Sequence, residues 1–190
     1  MTKIIAIVGM CGAGKSLLAD ELVKLGWGFV RFGQITLDIA KERGVSGEAA
    51  EKQIREEVRA KHGMGAFATL NIPKFDSILL EKNLVADGLY SWAEYKILKE
   101  YYGDRLAVVA VYAPPALRYE RISKRFSDKN DTDLRNRNFT KEEALARDWN
   151  EIENIEKGGP IAMADYTILN TGEIEEYQKE IKKFISIYAN

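Results

Sequence analysis

The stretch Lys3-Ile-Ile-Ala-Ile-Val8, followed at once by Gly9-Met10-Cys11-Gly12-Ala13-Gly14-Lys15-Ser16, decides the fold. Its first half is short, apolar and rich in β-branched residues, the pattern of a strand buried on both faces. Its second half matches Gly-x4-Gly-Lys-Ser/Thr in full, and Leu18, Leu22 and Leu25 then recur at helical spacing. A strand, this loop and a helix in that order make a phosphate cradle. The glycines let the backbone wrap an anion so that several N–H groups point at it, and the helix start adds its positive end. The pattern predicts that Gly9, Met10, Cys11, Gly12, Ala13, Gly14, Lys15, Ser16 and Leu17 hold ATP. Lys15 is expected to reach the β- and γ-phosphates and Ser16 to ligate Mg2+.

Outward from this point the chain alternates. Leu106–Tyr112 is a second apolar run, and Gly28–Phe32, Leu84–Ala86 and Tyr166–Leu169 are shorter strand candidates. Ser91-Trp-Ala-Glu94 and Thr140-Lys-Glu-Glu143 are capping boxes that open helices. Leu145, Trp149 and Ile152 suggest the inner stripe of the second helix; Ile174, Tyr177, Ile181 and Phe184 suggest that of the last. Gly44–Gly63 reads as a helix built on Ile54 and Val58, with Arg55, Arg59 and Lys61 outside its core stripe. Strands alternating with helices predict an α/β three-layer sandwich around a parallel sheet. We expect one domain over 1–190, with a helical acceptor-side segment at about 34–82 and a lid at about 127–139. The lid expectation rests on a polar run, Ser127–Phe139, with two apolar residues in thirteen.

Composition narrows the function. The 190 residues carry 28 basic and 29 acidic side chains, a balance that gives no support for a general nucleic-acid binder. A single cysteine, Cys11, suits a reducing compartment, and no apolar run approaches a membrane span, so a cytoplasmic protein is expected. Monomer and homodimer both remain open.

Beyond the loop, Asp87 closes a short strand before Gly88, where carboxylates face the ligand crevice of open α/β sheets. It is expected to act on Mg2+ through water, and the rival reading is a turn aspartate. Arg118, Arg121 and Arg125 share one arc of a helix, and Arg135, Arg137 and Arg147 follow. Such a group can neutralise a transferring phosphoryl group, with pairing to Glu120, Asp128 or Asp148 as the bland alternative. His62 reads as a helix-end residue, and Trp27, Trp92 and Trp149 read as core or lid packing.

On these residues the chain resembles the adenylate-kinase-like P-loop kinases, and most of all the archaeal dephospho-CoA-kinase-like proteins. Val85-Ala-Asp87-Gly88 is similar to their strand-end Asp-Gly, and Arg121-Ile-Ser-Lys-Arg125 to their Arg-Ile-x-x-Arg. Ala164–Gly172 is similar to their last strand and adenine-bordering loop. The resemblance implies a five-stranded sheet in the order 2-3-1-4-5. It places Arg121 against adenine, Arg125 on phosphates, and Asn170 and Gly172 beside the base. Leu89, Tyr90 and Ser91 stand where adenylate-type kinases have Phe-Pro-Arg, so their acceptor arginine is missing here. The expected activity is transfer of the γ-phosphoryl group of ATP to a nucleoside, nucleotide or nucleotide-like small molecule, with Lys15, Asp87, Arg125, Arg135, Arg137 and Arg147 as catalytic groups. The alternative is an NTP-binding regulatory ATPase; the absence of Asn-Lys-x-Asp weakens its GTPase form.

Overall fold

A computed structural model describes residues 2–124 and 140–189. The expected lid, with Arg125, Arg135 and Arg137, lies outside the described residues. Five strands, β1 (Ile4–Val8), β2 (Gly28–Arg31), β3 (Leu84–Asp87), β4 (Leu106–Tyr112) and β5 (Tyr166–Leu169), form one sheet. All pairings are parallel, and the order is β2-β3-β1-β4-β5, as expected. β1 is central: Ile4 lies between Leu84 and Leu106 in register.

The period of two along each strand divides the core. Ile4, Ala6 and Val8 join Val30, Leu84, Ala86, Val108 and Ala110 in one cluster. It is covered by α2 (Gln34–Glu42), α3 (Glu48–His62), α4 (Ala66–Leu79) and α5 (Trp92–Tyr102). Ile5 and Ile7 join Val85, Val109, Val111 and Ile168 on the other face, beneath α1 (Lys15–Lys24) and α9 (Ile174–Tyr188). The helices α2, α3 and α4 thus fill the segment between β2 and β3, while α6 (Pro115–Ser123), α7 (Lys141–Glu153) and the short α8 (Gly158–Ala162) lie between β4 and β5.

Both capping boxes form: Ser91 and Glu94 close reciprocally on α5, and Thr140 and Glu143 on α7. Ile54 and Val58 are buried in α3, and Tyr177, Ile181 and Phe184 in α9, whereas Ile174 is exposed. His62 is the last residue of α3, and Trp27 is buried. The α7 stripe is a correction. Leu145, Trp149 and Ile152 point outward at 46%, 61% and 53% exposure, and the helix buries Ala144, Asp148 and Glu151. That face meets the phosphate loop and its cavity rather than an apolar layer, so the usual amphipathic arrangement is inverted.

Candidate active site

The loop between β1 and α1 needs glycine at two places for separate reasons. Gly12 has φ +80°, and a Cβ there would press on the Arg118 carbonyl and the Ile122 side chain at 2.9 Å. Gly14 has φ +103°, and a Cβ would collide with the Asn170 amide. Both conformations are ones L-residues rarely adopt. Tertiary bonds fix the loop from behind. Asn170 donates from Nδ2 to the Ala13 carbonyl (2.8 Å), and the Tyr177 hydroxyl donates to the Gly14 carbonyl (2.9 Å). Arg118 donates to the Cys11 carbonyl (3.0 Å).

Lys15 and Ser16 open α1 and face a cavity of about 620 Å³. The Lys15 ammonium donates to the carbonyls of Gly9 (2.8 Å) and Met10 (3.1 Å), folded back over its own loop. Burial, aided by the charge of Lys157, lowers its pKa to about 8. Asp87, at the end of β3, lines the same cavity and acts electrostatically on Lys15. A hydroxyl at Ser16 and a carboxylate at Asp87 beside a phosphate cradle are hard oxygen donors of the kind Mg2+ takes while keeping waters.

Arg147 also reaches the cavity, held by an ion triad whose other two members, Glu151 and Lys157, are buried. Its Nε donates to Glu151 (3.0 Å), and Lys157 donates to the other Glu151 oxygen (2.6 Å). Lys157 is 2% exposed, and its ammonium lies 4.6 Å from the centroid of the Tyr90 ring. Burial alone would raise the Glu151 pKa, but the two cations overcome it and hold the carboxyl down at about 2. For Arg147 burial opposes the charge and Glu151 outweighs it, so the guanidinium is more firmly protonated.

The remaining expected residues divide. Cys11, Gly12, Gly14, Lys15, Ser16, Asp87 and Arg147 share the cavity wall. Gly9, Met10, Ala13 and Leu17 complete the loop and the start of α1 but do not line the cavity, and neither do Arg121, Asn170 and Gly172. Arg121 donates to the backbone carbonyl (2.9 Å) and side-chain oxygen (3.2 Å) of Asn170 behind the loop, and Gly172 is exposed in the turn after β5. Arg118 is committed elsewhere than the phosphoryl group. It grips Asp148 with both terminal nitrogens (3.1 and 2.5 Å) and braces the loop.

Sequence reading missed Glu151 and Lys157, and also Arg59 and Thr36 on the far wall. A polar face at Asp148 and Glu151, in phase with Ala144 on one capped helix, was the available signal for the triad. Lys157 follows α7 in a turn and carries no local pattern.

A glycine-built phosphate loop, its lysine and serine, and a 2-3-1-4-5 parallel sheet together define the nucleotide-binding P-loop fold in its kinase-like form. The chain belongs to the AAA domain family, whose model matches residues 5–150. It is also 33% identical over 185 residues to the UPF0200 protein of Sulfurisphaera tokodaii, covering 97% of each chain. That designation names no dephospho-CoA kinase. Among solved structures, shikimate kinase from Bacteroides thetaiotaomicron superposes with a TM-score of 0.59 at 13% identity, covering 99% of each chain. A gluconokinase from Sinorhizobium meliloti gives 0.54 at 12%, covering 98% of this chain and 95% of its own. At such identities the likeness bears on the fold.

Proposed function

We propose that this chain is an ATP-dependent small-molecule kinase. The observation that carries the reading is the single cavity joining the phosphate loop to a second, chemically distinct wall. Residues from α2, α3 and α4, including Thr36, Arg55, Arg59 and Phe67, face the same space as Lys15 and Ser16. Cavities of roughly 300–1,000 Å³ suit small ligands, and a nucleotide switch without an acceptor has no use for the far wall.

In this reading the loop N–H groups and Lys15 hold the β- and γ-phosphates, and the base lies outside the cavity, on the far side of the loop, bordered by Arg121 and the turn at 170–172. Ser16, and Asp87 through water, would hold Mg2+, which would supply charge neutralisation for the transfer. An acceptor oxygen forms a bond to the γ-phosphorus as the bond to the β–γ bridging oxygen breaks. The electron pair leaves with ADP, and any proton on the acceptor oxygen passes to Asp87 or solvent. Arg147 meets the developing charge on the phosphoryl oxygens from a position fixed by Glu151. Fixed placement makes such a group effective, because no reorganisation is needed as charge develops.

The test is a mass-spectrometric screen of nucleosides, nucleoside monophosphates, dephospho-CoA and hydroxylated small molecules with ATP and Mg2+. A product gaining one phosphoryl group, formed mole for mole with ADP, is expected. ADP and inorganic phosphate without a phosphorylated acceptor would instead support a regulatory ATPase.

A further inference from the structure

Two cations of the far wall lie beside carboxylates of their own helix. Arg55 reaches Glu48 (2.6 Å) and Glu51 (3.6 Å), and Lys52 lies 3.9 Å from Glu56. Arg59 has no carboxylate within ion-pair distance among the described residues, and its buried Nε has no hydrogen-bond partner there. Glu94 acts on it at longer range, with one carboxylate oxygen accepting from the backbone of Tyr90 and Ser91 (both 3.0 Å). The Arg59 guanidinium lies 5.2 Å from the centroid of the buried Phe67 ring. A ring face fixes the plane of a guanidinium and leaves its N–H edge for a planar, two-pronged partner. A second orphan lines the same cavity: Thr36, at 2% exposure, has a buried Oγ1 with no partner among the described residues.

We propose that Arg59 and Thr36 form the subsite for an oxyanion, a carboxylate or phosphate, carried by the phosphoryl acceptor, which makes the substrate an anionic small molecule. The inference rests on the kinase reading and narrows it. A neutral alcohol leaves the N–H edge of Arg59 without a hydrogen-bond acceptor, whereas an oxyanion satisfies its fork and accepts from the Thr36 hydroxyl. Sites that leave polar groups unpaired discriminate strongly against the ligand that fails to pair them.

The experiment has two arms. In the first, matched acceptors are compared with ATP and Mg2+: a nucleoside 5′-monophosphate against its nucleoside, and a cyclic hydroxy acid against its methyl ester. We expect the charged member of at least one pair to be favoured in kcat/KM by about 10- to 150-fold, and that preference to collapse in Arg59→Met. Which pair responds separates phosphate from carboxylate. Equal turnover of charged and neutral members overturns the inference and leaves the kinase reading standing. No phosphorylated product from any acceptor removes the kinase reading itself. In the second arm the loop is saturated with a non-hydrolysable ATP analogue and Mg2+, and the arginine Nε–H resonances are followed while inorganic phosphate or acetate is added. A shift of the resonance that Arg59→Lys deletes supports the subsite. An Arg59 signal indifferent to both anions overturns it, and means that this side chain only covers Phe67.

Discussion

The loop between β1 and α1 and the buried face of α7 both deliver cations to one cavity, and they hold them by different means. Lys15 rests on backbone carbonyls of its own loop, whereas Arg147 and Lys157 are fixed by a shared carboxylate at 3.0 and 2.6 Å. The first arrangement releases its lysine to a ligand for the loss of two hydrogen bonds. The second keeps its charges in place whether or not a ligand is present. One wall adapts and the other is preorganised, which suits a site that must grip a triphosphate and then meet charge as it develops.

The widest separation between the two regions is expected in rate. Lys15→Ala should lower phosphoryl transfer by about 1,000-fold or more, the scale of losing a cation from a transferring phosphoryl group. Thermal unfolding should be little changed, since the side chain serves a ligand site. Normal turnover in the folded variant would dissolve the comparison.

Glu151→Gln is expected to act on stability instead. It leaves Lys157, 2% exposed, as a buried cation without its counter-charge, and breaking a buried pair costs about 3–5 kcal/mol. Urea unfolding reads the loss. A variant as stable as the parent would show that the triad is not anchored by this carboxylate.

Asp87→Asn should slow transfer by about 10- to 100-fold while sparing ATP affinity, because an amide keeps the shape but attracts neither Mg2+ nor its waters. A rate and a Mg2+ dependence both equal to those of the parent would return Asp87 to a turn role.

The smallest effect links the walls. Lys15 binds phosphate as the ammonium and loses its proton as pH rises through about 8, so analogue affinity should fall above that pH. Lys157 is the second cause of the lowered value, after burial. In Lys157→Met the fall should therefore move to higher pH, measurable by calorimetry across the neutral-to-alkaline range. An unmoved midpoint would mean that the two lysines do not sense each other.

The sequence by itself determined the parallel sheet, the phosphate loop, both capping boxes and the place of Asp87. Each is dictated locally: β-branched runs are buried on both faces, glycines take backbone angles other residues avoid, and a cap closes within four residues. The strand order was legible through the resemblance that the loop and the Asp-Gly carried. Only the tertiary structure decided which face of α7 turned inward, because Glu151 and Asp148 are burial-competent only against Arg147, Lys157 and Arg118, two of which lie outside that helix. The same holds for Arg118, a phosphate candidate by spacing, which Asp148 and the Cys11 carbonyl claim first. Arg59 is its mirror image, a surface residue by pattern that folding carries onto Phe67 at the cavity wall. A charged side chain has no fate of its own in a sequence; the distance to its counter-charge in the fold sets whether it is solvated, paired or left for a ligand.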